Sequence, residues 1–191
     1  MKNLIKVKVF PKFTKGYKEG YPLILKERIE KWPKELQEGD VFELTDTNGQ
    51  FIARGYHGEQ NKGSGWLFTW DKKQQLDEDF LKSLITAAIE KRQFLFTDDS
   101  TTAFRIFNGE GDGLGGFTVD YYDSYLVIQW YSLGIYAFQK MIIDIFLSFP
   151  EIKGIYEKDA FKKIQKMILS PVKKRLSHLL LKKMASIMQL T

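Results

Sequence analysis

Apolar and polar residues alternate at the start of the chain, with Leu4/Ile5, Val7 and Val9 set against Lys6 and Lys8. A period of two marks a half-buried strand, so residues 3–10 are predicted to form one. Lys12–Gly20 is basic and rich in Gly and Tyr, and reads as a loop. Apolar Tyr21–Leu25 follows, then a turn at Glu38-Gly39-Asp40 and a strand at Val41–Thr45. Asn48-Gly49 is a strong hairpin signal, with Gln50–Tyr56 as its returning strand. Gly63–Gly65 is expected to be flexible, and Trp66–Trp70 to be a further strand. Short strands joined by tight turns over some 70 residues point to a small β-barrel.

The rhythm changes at Asp71. Phe80, Leu81, Leu84, Ile85, Ala88 and Ile89 recur at spacings of three and four, behind the acids Asp77, Glu78 and Asp79 and ahead of Lys91-Arg92. Acids at the start and bases at the end complement a helix dipole. Strands are predicted at Phe104–Phe107, Phe117–Tyr121 and Tyr125–Tyr131. Ser132 is expected to cap one helix carrying Ile135, Phe138, Met141, Ile142, Ile145 and Phe146, which Pro150 bars from continuing. Ile152–Tyr156 is a last strand. The fold class is therefore α+β: a small barrel over 1–73, then an α-β-β-β-α-β unit over 77–157. Residues 158–191 differ, and apolar positions from 164 to 184 would suit a basic amphipathic helix interrupted by Pro171. Poor ordering, or packing as a C-terminal helix, is the plainer expectation for that segment.

Charge sharpens this division. The net charge of +5 hides +8 over residues 158–191 against −3 over 1–157, and residues 1–34 alone carry +7. A basic N-terminal lobe suggests a polyanionic partner. Lys6, Lys8, Lys12, Lys15, Lys18, Lys26 and Arg28 are interleaved there with Phe10, Phe13, Tyr17 and Tyr21. Lysines neutralise phosphates and exposed rings stack on unpaired bases, although the same rings could be core. Arg54, on the returning strand, completes the candidate RNA-binding set.

Other chemistry is sparse. With no cysteine, thiolate metal sites and cysteine nucleophiles are excluded within these 191 residues. The two histidines, His57 and His178, do not form a ligand pair, and His57 is expected on a surface loop. No catalytic or metal-binding residue is assigned. The segment Arg105–Tyr122 stands out because five glycines fall within the eight residues Gly109–Gly116, beside Arg105, Asn108, Glu110 and Asp112. Glu110 and Asp112 fall short of a calcium loop. Arg105 is expected to contact phosphate or to anchor the loop through Glu110 or Asp112. No long apolar run suggests a signal peptide or membrane span.

The order of features resembles a known family. Arg105, Asn108-Gly109-Glu110, Asp112-Gly113-Leu114, Gly116, Val119-Asp120 and Tyr122 match a motif of bacterial class I S-adenosylmethionine-dependent methyltransferases that make 5-methylcytosine in large-subunit ribosomal RNA. Gly16, Tyr21-Pro22-Leu23, Glu38-Gly39-Asp40-Val41 and Gly49–Gly55 resemble the family's PUA module. Gly115 stands where the family usually has Pro, which is expected to loosen the loop. The resemblance implies a PUA-like barrel that binds ribosomal RNA and a connector whose loop, with Gly109 and Gly113, faces a catalytic domain. S-adenosylmethionine is the expected cofactor of the full-length family, with none held by this chain. It also implies a cytoplasmic protein and self-association through an exposed domain-packing surface. The resemblance is read as ending near Glu157, with residues 158–191 as foreign coding, such as a frame change leaves, or a divergent ending. The reading that stays open beside it is a non-enzymatic adaptor whose acidic loop meets a protein.

Overall fold

Two five-stranded sheets carry the chain, and the computed structural model describes residues 4–97, 101–159 and 165–169. The first sheet contains β1 (Ile5–Lys8), β2 (Leu23–Leu25), β3 (Val41–Thr45), β4 (Phe51–Gln60) and β5 (Gly63–Thr69). Its order is β1-β3-β4-β5-β2, with β1 parallel to β3 and the other neighbours antiparallel. Register shifts at Leu44/Thr45, Arg54/Gly55 and His57/Gln60 interrupt the ladders, and such bulges bend a sheet. The Asn48-Gly49 turn forms as expected, held by N–H groups of Asn48 and Gln50 donating to Asp46 Oδ1 at 3.0 and 2.9 Å. Gly63–Gly65, expected to be flexible, lies buried inside β5.

Lys12–Gly20 departs from the sequence expectation. Instead of a loop, Pro11–Lys18 is a helix, α1. Pro11 occupies a first-turn position, where its missing N–H costs nothing, and the one buried residue, Tyr17, pins the helix to the sheet. Val7, Val9, Tyr17, Ile24, Phe42, Leu44, Ala53 and Leu67 form the core beneath.

The second sheet follows α2 (Glu78–Lys91) and the short α3 (Gln93–Phe96). Asp77 caps α2 by accepting from Phe80 N–H at 3.0 Å, and Leu81, Ile85 and Ala88 face inward, as the spacing predicts. The strands are β6 (Ala103–Asn108), β7 (Phe117–Tyr122), β8 (Tyr125–Trp130), β9 (Gly154–Asp159) and β10 (Gln165–Leu169), in the order β10-β9-β8-β7-β6. The helix expected after Ser132 is two: α4 (Leu133–Tyr136), drawn to β4, and α5 (Gln139–Leu147), which turns Ile142, Ile145 and Phe146 inward. Together they make the crossover that the parallel β8–β9 pair requires. Residues 165–169 form a strand where the apolar spacing suits a helix, and the rest of that expected helix lies outside the described residues.

One apolar core runs across both sheets. Tyr56, Trp66 and Phe68 of the first join Leu81, Ile85, Leu114, Phe117, Ile128, Trp130, Ile142 and Phe146 of the second. The backbones nearly touch where β4 meets α4: a Cβ on Gly134 would lie 2.0 Å from His57 O and 2.7 Å from Gly58 Cα. Only two glycines permit that crossing. Gly134→Ala is expected to cost about 1–3 kcal/mol, the usual penalty for overpacking. At this size each kcal/mol lowers the melting temperature by roughly 2–4 °C. An unchanged thermal melt would show that the crossing is not under steric control.

Candidate nucleic-acid interface

The basic residues of the first 34 positions gather around α1. Lys12, Lys15 and Lys18, three residues apart, point outward from the helix, while Lys6 and Lys8 leave the exposed side of β1 opposite buried Val7 and Val9. A 3-10 turn, Lys26–Arg28, is joined to this surface by Phe10 N–H donating to Arg28 O at 2.9 Å. Arg28 carries its guanidinium over two rings, 4.6 Å from the Tyr21 centroid and 5.2 Å from that of Phe13, and Lys12 Nζ lies 4.8 Å from Phe13. Lys26 is committed to an ion pair with Glu59, and Lys18 and Lys15 lie 3.9 and 3.7 Å from Asp46 and Glu19. Exposed pairs of this kind contribute little and can open to a phosphate.

The rings divide between core and surface. Tyr17 is fully buried and donates to Leu23 O at 3.2 Å; burial pushes its hydroxyl pKa above 10.0, keeping that proton in place. Phe10, Tyr21 and Trp70 are 37–38% exposed. Sequence reasoning misses Trp70 as part of this surface. Its tie to α1, an indole N–H donating to Tyr17 O at 2.6 Å, spans 53 residues and leaves no local trace.

Arg54 and His57 do not lie where the sequence pattern places them. Arg54 is 4% exposed, and its guanidinium donates to Gln74 O (2.6 Å), Lys72 O (2.8 Å) and Glu43 Oε1 (3.1 Å). It fastens the chain after β5 to the sheet and presents no free edge to a phosphate. His57 is a buried member of β4 rather than a loop residue, with Nδ1 2.7 Å from Ser64 O and its ring 5.1 Å from that of Trp32.

The glycine-rich loop is a clasp. After β6 it makes a 3-10 turn, Gly109–Asp112. Glu110 Oε1 accepts from Trp66 Nε1 at 2.6 Å, and Tyr56 hydroxyl donates to Gly115 O at 2.7 Å. Burial, and then the charge of Glu110, push the Tyr56 pKa well above 10.0, so the hydroxyl keeps its proton. Asp112 is held by Arg92 through two bonds of 3.2 and 2.8 Å, by Asn108 N–H at 2.7 Å, and by Lys91 at 3.6 Å. Burial, the largest single influence, raises the Asp112 pKa. The Arg92 bond, the Asn108 N–H and the charges of Arg92 and Lys91 together outweigh it and hold the carboxyl below 3.8.

Arg105 does not anchor Glu110 or Asp112. It forms a two-bond pair with Asp120 (2.9 and 3.2 Å) and reaches Asn108 at 3.4 Å. Nor does Gly115 loosen the loop: a Cβ there would fall 2.1 Å from Trp66 Cδ1, so the absent side chain makes room for the indole. The loop does not fit S-adenosylmethionine, because its carboxylates are engaged and its open space is filled by Trp66. Among the described residues no cluster of side chains suits a metal ion, and no helix is long and apolar enough to cross a membrane.

Residues 7–70, which carry α1 and most of the basic surface, match the PUA-like domain family. YwbD of Bacillus subtilis (strain 168), provisionally named a ribosomal RNA large subunit methyltransferase, is 50% identical over 146 residues, 75% of this chain and 37% of that protein. The chain is thus similar to part of a ribosomal RNA large-subunit methyltransferase. Ribosomal RNA large subunit methyltransferase I of Shewanella frigidimarina (strain NCIMB 400) is 28% identical over 170 residues, 88% of this chain and 43% of the relative. A match of that length cannot end at residue 157, so the likeness runs further than the motif reading expected. A solved Streptococcus mutans structure, provisionally described as a SAM-dependent methyltransferase, superposes with a TM-score of 0.79 at 28% identity over 87% of this chain and 43% of that one. A second, of a provisionally described methyltransferase complexed with SAH, gives 0.76 at 29% identity. The chain spans about two fifths of the length of these relatives.

Asp112→Asn is expected to lower stability by about 1–3 kcal/mol at pH 7, the range for a charge-assisted hydrogen bond. A carboxylate whose folded pKa is depressed stabilises at and above its ordinary value, and that stability is lost as pH falls through the folded value. Urea midpoints of wild type and variant should therefore differ by a constant amount above about pH 5 and converge below 3.8. A gap that persists undiminished in acid would show that the carboxylate charge contributes nothing.

Proposed function

We propose that this chain is the RNA-recruiting, N-terminal portion of a SAM-dependent ribosomal RNA (cytosine-5) methyltransferase. The observation that carries the reading is the α1 surface: exposed Lys12, Lys15 and Lys18 beside an Arg28–Tyr21–Phe13 stack, within the segment that matches a PUA-like domain. Lysines set along one helix neutralise successive phosphates, and guanidinium–ring stacks are suited to bases. In this reading 1–73 is the RNA-binding lobe, and the unit that begins at residue 77, whose sheet runs on past the expected boundary at 157 through β10, connects it to the catalytic part of the longer protein. The protein works in the cytoplasm on ribosomal RNA. The methyl-transfer chemistry belongs to the portion of the relatives that the chain does not span, since these residues hold no cysteine to attack a pyrimidine. An open packing surface for that portion favours self-association of this chain.

The test is binding of the full chain to ribosomal RNA fragments between about 50 and 200 mM salt. Affinity should fall by about tenfold or more across that range, as several phosphate contacts require. Replacing Lys12, Lys15 and Lys18 together by Gln should flatten the slope of log affinity against log salt by about 0.7 for each phosphate no longer neutralised. An unchanged slope would place binding elsewhere, the basic tail included. Incubated with S-adenosylmethionine and ribosomal RNA, the chain should transfer no methyl group, and measurable incorporation would overturn that part of the proposal.

A further inference from the structure

The lysines of α1 explain affinity for phosphate but not the three exposed rings beside them. Phe10 precedes the first residue of the helix, and Tyr21 and Trp70 sit at its far end. Tyr21 and Trp70 are fixed from behind, and for Phe10 it is the backbone that is held. The Phe10 backbone donates to Arg28 O and accepts from Phe13 N–H at 3.0 Å and the Thr14 hydroxyl at 3.4 Å. Tyr21 sets an edge against Tyr17, centroids 5.8 Å apart, and takes the Arg28 guanidinium over its ring. Trp70 is held by its bond to Tyr17 O. Rings held in place lose little freedom when a partner docks.

Resting on the RNA-recruiting reading, we infer that the α1 surface selects unpaired over duplex RNA, with bases stacking on Phe10, Tyr21 and Trp70 while Lys12, Lys15 and Lys18 follow the backbone between them. In a duplex every base is already stacked on its neighbours, and A-form RNA offers proteins chiefly its shape, phosphates and 2′-hydroxyls. Exposed rings gain nothing from such a partner. A single strand offers free π-faces, and base–ring stacking tolerates any sequence. The eight residues of α1 span about 12 Å, which separates Phe10 from the other two rings and requires a strand of several nucleotides.

Three RNA probes of equal length separate stacking from charge: an unstructured single strand, a duplex, and an abasic strand that keeps the phosphates but offers no base. The full chain should bind the single strand on the order of tenfold more tightly than either of the others. Phe10→Leu, which keeps apolar bulk but no ring, should erase most of that preference, whereas Tyr21→Phe should retain it. Melting curves for both variants establish that they fold. Equal affinity for all three probes, weakened alike by the lysine replacements, would overturn the inference and leave the RNA-recruiting reading standing. A preference for duplex, or a Phe10→Leu variant that keeps the single-strand preference, would overturn it too. Failure to bind any probe would bring down the RNA-recruiting reading itself.

Discussion

Trp66 stacks on Tyr56 with centroids 5.6 Å apart, donates to Glu110, and fills the space over Gly115. One indole thus touches the first sheet through its own strand and the second through the glycine-rich loop. Much of what holds the sheets together converges here. Tyr56 hydroxyl reaches the same loop, Phe68 continues the apolar layer toward Phe80, and Gly58 lets β4 pass against α4. A hydrogen bond from an indole to a carboxylate in a partly enclosed site is among the stronger neutral-to-charged pairings. The orientation of the lysine-bearing helix relative to the second sheet follows from it.

The loop shows how a signature can mark architecture rather than chemistry. Its acids resemble a binding or catalytic pair in one dimension. In three, each is engaged: Glu110 by Trp66, and Asp112 by Arg92 and Lys91 at the end of α2. Among the described residues, the lysines of α1 and the rings around it do face water.

Local pattern carries the elements well where one face is wet. The capped, amphipathic α2 and the alternating β1 are legible because burial follows their periodicity. It fails for β4, which is buried on both faces from Ile52 to Gly58, so that alternation no longer distinguishes inside from outside. Arg54 and His57 lie in that stretch. It fails again for α1, where one Tyr supplies the whole buried face, too little to register as a stripe. The rings of the interface are legible as a set, but which of them are core is not. Tyr17 and Trp70 are sorted by a contact 53 residues apart, and the loop's partners by contacts of 44 and 59.

Those separations matter during synthesis. The first sheet leaves the ribosome complete, but Glu110 follows Trp66 by 44 residues and Gly115 follows Tyr56 by 59. At about 5–20 residues per second, the indole waits roughly 2–9 seconds for its acceptor. During that interval Tyr56, Trp66 and Phe68 form a bare apolar face on a nascent sheet. The young chain is thus most vulnerable to aggregation, and most dependent on chaperones, before its glycine-rich loop has been made.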